Sequence, residues 1–362
     1  MDFYTLCFSK GFVKIYKVKC FQDEMDIEKR FELIKRNTEE ILTEGELRQL
    51  LEKKKNPSVY LGAAITGRPH VGYYVWVLKL ADFLKAGFKV KVLLADLHGA
   101  LDNCPWDVLD KRYKYYEKVI SIMFESVGVN LKNIEFVKGS TFELDKKYFF
   151  DVLKMSTFAT EHDCMKAASE VVKFGDNPKL AGLIYPIMQA LDEEYLGVDI
   201  QYGGVDQRKI FVFARENLPK IGYKPRVEVM TPLIPGLIGK KMSASDEKSK
   251  VDLLDDEETV KKKINSAECV AGEINNGILA FLKNVLMVIK EDSGGKFVIE
   301  RPEKYGGNLE YNSYEKIEKD FRDKKLHPLD LKSATAKEIN NLLKLFRKNK
   351  TEMQKLAKEA YT

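Results

Sequence analysis

The apolar positions of this chain change period several times, and those changes mark out its elements. At 58–65 the residues Val59, Leu61, Ala63 and Ile65 alternate with others, the two-residue period of a strand. From His70 to about Lys85 the period lengthens: Tyr74, Val77, Leu78, Ala81 and Leu84 recur at helical spacing, while Trp76, Leu80 and Phe83 fill the other side. A helix that is apolar nearly all round is a buried one. Ala86-Gly87 ends it, and 89–95 predicts a buried strand. Strand, helix and strand within about 38 residues form a βαβ unit, so the sheet is parallel and the fold class is α/β.

The same reading extends in both directions. Upstream, 27–55 predicts helix with a break near Thr43-Glu44-Gly45. Downstream, 107–127 predicts a helix with Tyr113, Tyr116, Val119, Ile120, Met123, Phe124 and Val127 on one face. A short strand follows at 134–137, then mostly helix over 148–173 until Asp176-Asn177-Pro178 breaks it. An apolar-rich run at 195–200 and a helical run at 210–218 bracket Gly203-Gly204-Val205-Asp206-Gln207-Arg208-Lys209. That places the stretch on a strand-to-helix turn, where open α/β sheets bind ligands. Its two glycines let the backbone approach a flat ligand, and the residues after them supply a carboxylate, a carboxamide and two cations. A strand-like run at 226–230 leads into a Gly/Pro-rich loop ending in Lys240-Lys241-Met242-Ser243-Ala244-Ser245. Beyond Leu254 the pattern turns to short charged helices without strong strands, at 255–267, 276–289, 313–323 and 335–348. The expected division is therefore a parallel α/β domain over 26–255 and a mostly α-helical region over 256–362.

Composition narrows this picture modestly. A length of 362 residues suggests about two domains. No apolar run approaches the ~20 residues of a membrane span, so no membrane partner is expected. The net charge of +5 does not by itself argue for nucleic acid. Five scattered cysteines without CxxC spacing (Cys7, Cys20, Cys104, Cys164, Cys269) suggest neither a zinc site nor disulfides, and four histidines leave little room for metal chemistry, so no protein-bound metal is expected in a reducing compartment. Residues 1–25 lack the apolar core of a secretory signal and the Arg/Ser richness of a transit peptide. They read as an unstructured or edge-strand extension, with organellar import left open.

Two motifs carry chemistry. Pro69-His70-Val71-Gly72-Tyr73 opens a helix directly after the first parallel strand. A helix start offers unpaired N–H groups and a positive dipole end to phosphate; Gly72 lets a base lie on the backbone, and His70 can donate to a phosphate oxygen. Neither a Walker A pattern nor GxGxxG is present. Lys241-Met242-Ser243-Ala244-Ser245 offers a lysine and two hydroxyls that can wrap a triphosphate and follow charge onto leaving pyrophosphate.

His-x-Gly at the first βα turn and KMSAS after the last strand, ~170 residues apart, resemble the signature pair of class I aminoacyl-tRNA synthetases. Tyr73 and Ala244 depart from that family's pattern, which leaves His70, Gly72 and Lys241 as the transferable groups, with Ser243 beside them. GRPHVGY, ADLHGALDN, YPIMQALDEEYLGVD, GGVDQRKIF, RPEKYGGN and HPLDLK resemble the eukaryotic and archaeal branch of tyrosyl-tRNA synthetases, over about 27–350. The resemblance implies that 26–255 is a Rossmann-type catalytic domain with a connective insertion at about 105–185, and that 256–362 binds an anticodon. It implies that Tyr60 and Asp192 bond a substrate phenol, and that Tyr185, Gln189 and Gln207 hold the tyrosine amino end. ATP would lie on Gly62, His70, Gly72, Gly203, Gly204, Asp206, Lys241, Met242 and Ser243. Arg208 and Lys209 would read the acceptor stem of tRNA(Tyr), and Tyr305, His327 and Asp330 its anticodon. ATP with Mg²⁺ is expected as a substrate, without a tightly bound cofactor. The unit is expected to be a cytoplasmic homodimer with the helix at 107–127 near the interface. Two alternatives stay beside this: a tryptophanyl enzyme of the same fold, and a synthetase-like RNA-binding protein without catalysis.

Overall fold

The computed structural model describes residues 3–9, 12–18, 26–236 and 250–362. β1 (Phe3–Ser9) and β2 (Phe12–Val18) pair antiparallel in a ribbon of their own, not as an edge of the main sheet. Then come α1 (Ile27–Lys35), β3 (Glu40–Ile41), α2 (Glu44–Lys53), β4 (Ser58–Ala64), α3 (Tyr74–Lys85), β5 (Lys89–Ala95), α4 (Asp96–Leu101), α5 (Leu109–Ser126) and β6 (Ile134–Lys138). Three connective helices, α6 (Lys146–Ser156), α7 (Glu161–Ala168) and α8 (Leu180–Tyr195), precede β7 (Ile200–Gly204), α9 (Arg208–Asn217) and β8 (Val227–Thr231). The rest holds α10 (Glu257–Ser266), α11 (Gly277–Phe281), α12 (Met287–Asp292), β9 (Phe297–Ile299), β10 (Leu309–Tyr311), α13 (Tyr314–Arg322), α14 (Pro328–Leu342), α15 (Lys344–Lys348) and α16 (Lys350–Tyr361).

Six strands form one sheet in the order β3-β8-β7-β4-β5-β6, parallel except for the edge strand β3. The chain builds outward from β4 through β5 to β6, then returns to the other side of β4 for β7 and β8. That reversal is a Rossmann-type switch point, and it opens a crevice beyond the carboxyl ends of β4 and β7. α3 is the buried first crossover, with Tyr74, Val77, Leu80 and Phe83 fully inaccessible.

The described elements correct several boundaries. The helix expected over 27–55 is interrupted by β3, whose Glu40 and Ile41 pair with Met230 and Val229 of β8; two residues carry no period to read. The strand begins at Ile200, not near 195, because α8 runs on to Tyr195 with Pro186 inside it and Gly197 turns the chain at φ 61°. Gly203 and Gly204 therefore end the strand itself. The helix expected over 148–173 is two, α6 and α7, the second begun by a reciprocal Thr160–Asp163 capping box. The β9–β10 hairpin and α16 were not expected.

No gap in packing marks residue 255. One apolar core runs from Phe31 and Leu61 through Val260, Ile264 and Phe281 to Met353 and Ala360. Arg36 joins its two sides by pairing with both Asp82 of α3 and Asp292 of α12. Gly277 makes a closer junction: a Cβ there would lie 2.4 Å from the carbonyl oxygen of Gly236, so only glycine lets α11 seat against the chain leaving β8. Among the described residues no helix is long and apolar enough to cross a membrane.

Candidate active site

A cleft of about 680 Å³ lies at the switch point. Gly62, His70, Gly72, Gln189, Gly203, Gly204, Asp206 and Gln207, chosen from sequence over a span of 146 positions, all line it. Thr66, Gly67 and Gln201 join them.

His70 precedes a 3₁₀ turn, Val71–Tyr73, that leads into α3, and its Nδ1 accepts from the Gly72 N–H at 3.2 Å. With Nδ1 accepting, the neutral ring carries its proton on Nε2. The position is fixed from behind: His70 bridges Asp252, and the Val71 N–H donates to the Val251 carbonyl at 3.1 Å. Arg68 pairs with Asp252 at 3.0 Å. The stretch following the KMSAS motif thus forms part of the His70 wall. Lys241, Met242 and Ser243 themselves lie outside the described residues.

Below the cleft sits a buried polar floor. Tyr60 on β4 and Gln201 on β7 are register partners, and Gln201 Nε2 donates to the Tyr60 hydroxyl at 2.6 Å. Gln189 Nε2 donates to Gln207 Oε1 at 3.0 Å, joining α8 to the turn after β7. Asp192, one turn further along α8, accepts from the Tyr148 hydroxyl at 2.7 Å and lies 3.6 Å from His98 Nε2. Glu143 closes the group from the other side, 3.3 Å from His98 Nδ1, and Tyr185 stacks edge-on against His98 with centroids 4.7 Å apart.

The turn at 203–209 divides into two parts. A Cβ on Gly203 would fall 2.9 Å from the Phe211 ring and 3.0 Å from Gln207, and one on Gly204 would fall 2.6 Å from Asp206 Oδ1. These glycines are required by their own turn's packing as well as by any ligand. Arg208 and Lys209 point away from the cleft and pair with Glu40 at 2.6 Å and Glu170 at 2.9 Å. Tyr305, His327 and Asp330 do not line the cleft: Tyr305 is exposed beneath Lys304, and His327 caps α14, whose first turn holds Asp330.

Residues 52–344 match the family model of class I tRNA synthetases (W and Y). The chain is 45% identical over 340 residues to a tyrosine–tRNA ligase of Haloarcula marismortui, covering 93% of this chain and 98% of that one. The chain belongs to the tyrosyl-tRNA synthetase family. It is also 48% identical over 344 residues to the cytoplasmic tyrosine–tRNA ligase of Xenopus laevis, covering 94% of this chain but 64% of that protein's length. The crystal structure of an Archaeoglobus fulgidus tyrosyl-tRNA synthetase complexed with L-tyrosine superposes with a TM-score of 0.83 at 41% identity, covering 89% of this chain and 99% of that one.

The floor is electrostatically unusual. Burial works against charge on His98, but Asp192 and Glu143 overrule it and raise the imidazole to about 9. Burial and the nearby Glu143 push the Asp192 carboxyl up, against the pull of His98 and Tyr148. Burial also drives the Tyr60 phenol well above its usual range. His98, Glu143 and Asp192 each offer a ligand atom within 4.8 Å of the others, a spacing that a metal ion can use. The imidazole and the two acids share protons, and the trio reads as a proton-sharing cluster. His98 and Glu143 were not selected from sequence. A histidine three residues past the end of a buried parallel strand was the available signal for His98; Glu143 and Tyr148 carried none.

The cluster sets a pH dependence. Folded His98 holds its proton to about pH 9, whereas an unfolded histidine releases it near its ordinary value of 6.5. The folded state binds more protons in that window, so this contribution to stability is present below pH 6.5 and lost as pH rises to 9. Thermal midpoints of wild type and His98→Gln, measured across that range, should show the wild type losing stability more steeply. Parallel curves would contradict a charged His98.

Proposed function

We propose that this chain is a tyrosine–tRNA ligase that activates L-tyrosine with ATP and passes the acyl group to the 3′ end of tRNA(Tyr). The observation that carries the reading is the buried hydroxyl-and-carboxylate floor, Tyr60 and Asp192, beneath a switch-point cleft walled by His70 and Gly72. A phenol entering that floor satisfies groups that phenylalanine would leave unpaired at a cost of about 1–3 kcal/mol each, so selection needs no editing step. Gln189 and Gln207 sit one level higher, where the amino end of the same substrate would lie.

The reaction needs no covalent enzyme intermediate. The tyrosine carboxylate attacks the α-phosphate of ATP in line, breaking the bond to pyrophosphate, and the tRNA hydroxyl then displaces AMP from the adenylate. His70, protonated on Nε2, donates to the developing phosphate charge, with Lys241 and Ser243 following the leaving pyrophosphate. Asp206 and the Gly203-Gly204 backbone take the ribose and adenosine. Mg²⁺ arrives with ATP as part of the substrate.

Catalysis is assigned to 26–255, with the connective insertion, and anticodon reading to 256–362. Tyr305 supplies an exposed ring for stacking, and Asp330 a carboxylate that accepts from a guanine edge. Arg208 and Lys209 take the acceptor stem after giving up Glu40 and Glu170. The cytoplasmic designation of the Xenopus laevis relative supports placing the chain in the cytoplasm. A homodimer is also proposed, on a different surface from the one first expected. The α5 residues Tyr115, Tyr116, Val119, Ile120 and Phe124 are buried within the chain, whereas Phe149, Phe150 and Leu153 of α6, with Leu144 before it, are each more than half exposed. Soluble monomers rarely leave such a group uncovered.

Pyrophosphate exchange into ATP with single amino acids tests the activity. Exchange with tyrosine alone is expected; exchange with tryptophan and not tyrosine, or with none, would sink the reading. Asp192→Asn should lower exchange by about a hundredfold, the cost of one charged hydrogen bond made in a buried site. Asp330→Ala should leave exchange near normal and weaken tRNA charging. Equal failure of both in exchange would refute the division of labour. In sedimentation, Phe149→Asp combined with Leu153→Asp should convert a dimer to monomers, and an unchanged dimer would rule out α6 as its interface.

A further inference from the structure

The wall of the cleft just before His70 is held from outside by residues that none of the expected roles uses. The carbonyl oxygens of Ile65, Thr66 and Gly67 are three in succession, and all are claimed by side chains of α5 and α16. Arg112 Nη1 donates to Ile65 at 3.2 Å and also to Thr66. The Tyr116 hydroxyl donates to Gly67, and the Tyr361 hydroxyl, near the end of α16, donates to the same oxygen at 2.9 Å. Arg112 is itself held by α16: its Nε donates to the Ala360 carbonyl at 3.2 Å, and its guanidinium lies 4.6 Å from the Tyr361 ring centre. Tyr115 meets the same ring edge-on at 5.6 Å.

This arrangement has an electrostatic consequence. Thr66 and Gly67 line the cleft. A carbonyl dipole aimed into it would face a polyphosphate with its negative end. In an extended chain successive carbonyls alternate in direction, so three turned the same way require specific donors to hold them. Arg112, Tyr116 and Tyr361 are those donors. The opposite flank of the loop is fixed separately, by Asp252 on Arg68 and His70.

We propose that Tyr361 and Arg112 are positioning residues for the nucleotide step: through them α16 turns the 65–67 carbonyls away from the cleft and presets the wall that carries His70 for the phosphates of ATP. The proposal rests on reading the cleft as an ATP site. It makes α16 a working part of the nucleotide wall, and it predicts an effect on ATP that tyrosine does not share. The tyrosine floor hangs from β4, β7 and α8, whereas the clamp touches only the loop after β4.

The test is pyrophosphate exchange with tyrosine, with each substrate varied in turn, on the full chain carrying Tyr361→Phe or Arg112→Lys. Tyr361→Phe keeps the ring over Arg112 and deletes one hydroxyl; Arg112→Lys keeps the charge and loses the fork. The expected result is a KM for ATP raised about threefold to tenfold in Tyr361→Phe, as for one ordinary hydrogen bond, and more in Arg112→Lys, with the KM for tyrosine unchanged. An ATP KM equal to wild type in both variants overturns the clamp and leaves the ligase reading standing. Equal rises for ATP and tyrosine, accompanied by a lowered thermal midpoint, overturn it too, since general loosening of the packing would do that. A wild-type protein that exchanges with no amino acid fails the ligase reading and the clamp with it.

Discussion

The placement of β4 at the centre of the sheet is the constraint on which the rest depends. Its neighbours on the two sides are β5, which follows it directly, and β7, which arrives after a long connection. Crossovers that leave in opposite directions open a crevice at its carboxyl end. Every described component of the site is then placed by its distance along β4 or its neighbours. Tyr60 lies mid-strand and faces Gln201 in the floor, Gly62 lies nearer the opening, and the loop from Ile65 to His70 forms the wall.

That geometry explains why the floor can hold so much buried charge. Asp192, Glu143 and His98 are almost wholly inaccessible, and burying two carboxylates together is costly unless something neutralises them. His98 does so by remaining an imidazolium, and the single Tyr148 hydroxyl proton is shared between an Asp192 oxygen and the Met188 carbonyl. The cluster is thus a neutralised network of side chains beneath the cleft.

Much of this was legible in the sequence because the signals were local. Alternation at 58–65 and helical spacing at 70–85 gave the βαβ unit, with the strands within a residue and the helix begun four residues early, and glycines beside charged residues marked the turn after β7. The physical reason for Gly203 and Gly204 was only half visible: Phe211 and Gln207, brought close by the start of α9, need the same space a ligand would. What could not be read was set by tertiary contact. Two residues of β3 have no period, and α8 continues through Pro186, which is buried inside it. Gln201 matters through its register with Tyr60, and Glu143 through a loop that closes onto His98 from far along the chain.

The expected border near residue 255 lies where the pattern changes, while the apolar core runs across it. A change in composition marks where strands stop, but apolar surface on α5 still has to be covered, and α16 from the far end of the chain covers it. The same logic applies at Gly277, where α11 seats on the Gly236 carbonyl at one end of the KMSAS-bearing stretch, while at the other end Val251 and Asp252 hydrogen-bond to the His70 segment. Both flanks of that stretch are thereby anchored by groups outside it, one in the helical region and one in the His70 wall of the cleft. A helical region that merely hung from the α/β region could shift without consequence for the cleft. This one cannot, because the contacts that seat it are also contacts of the wall.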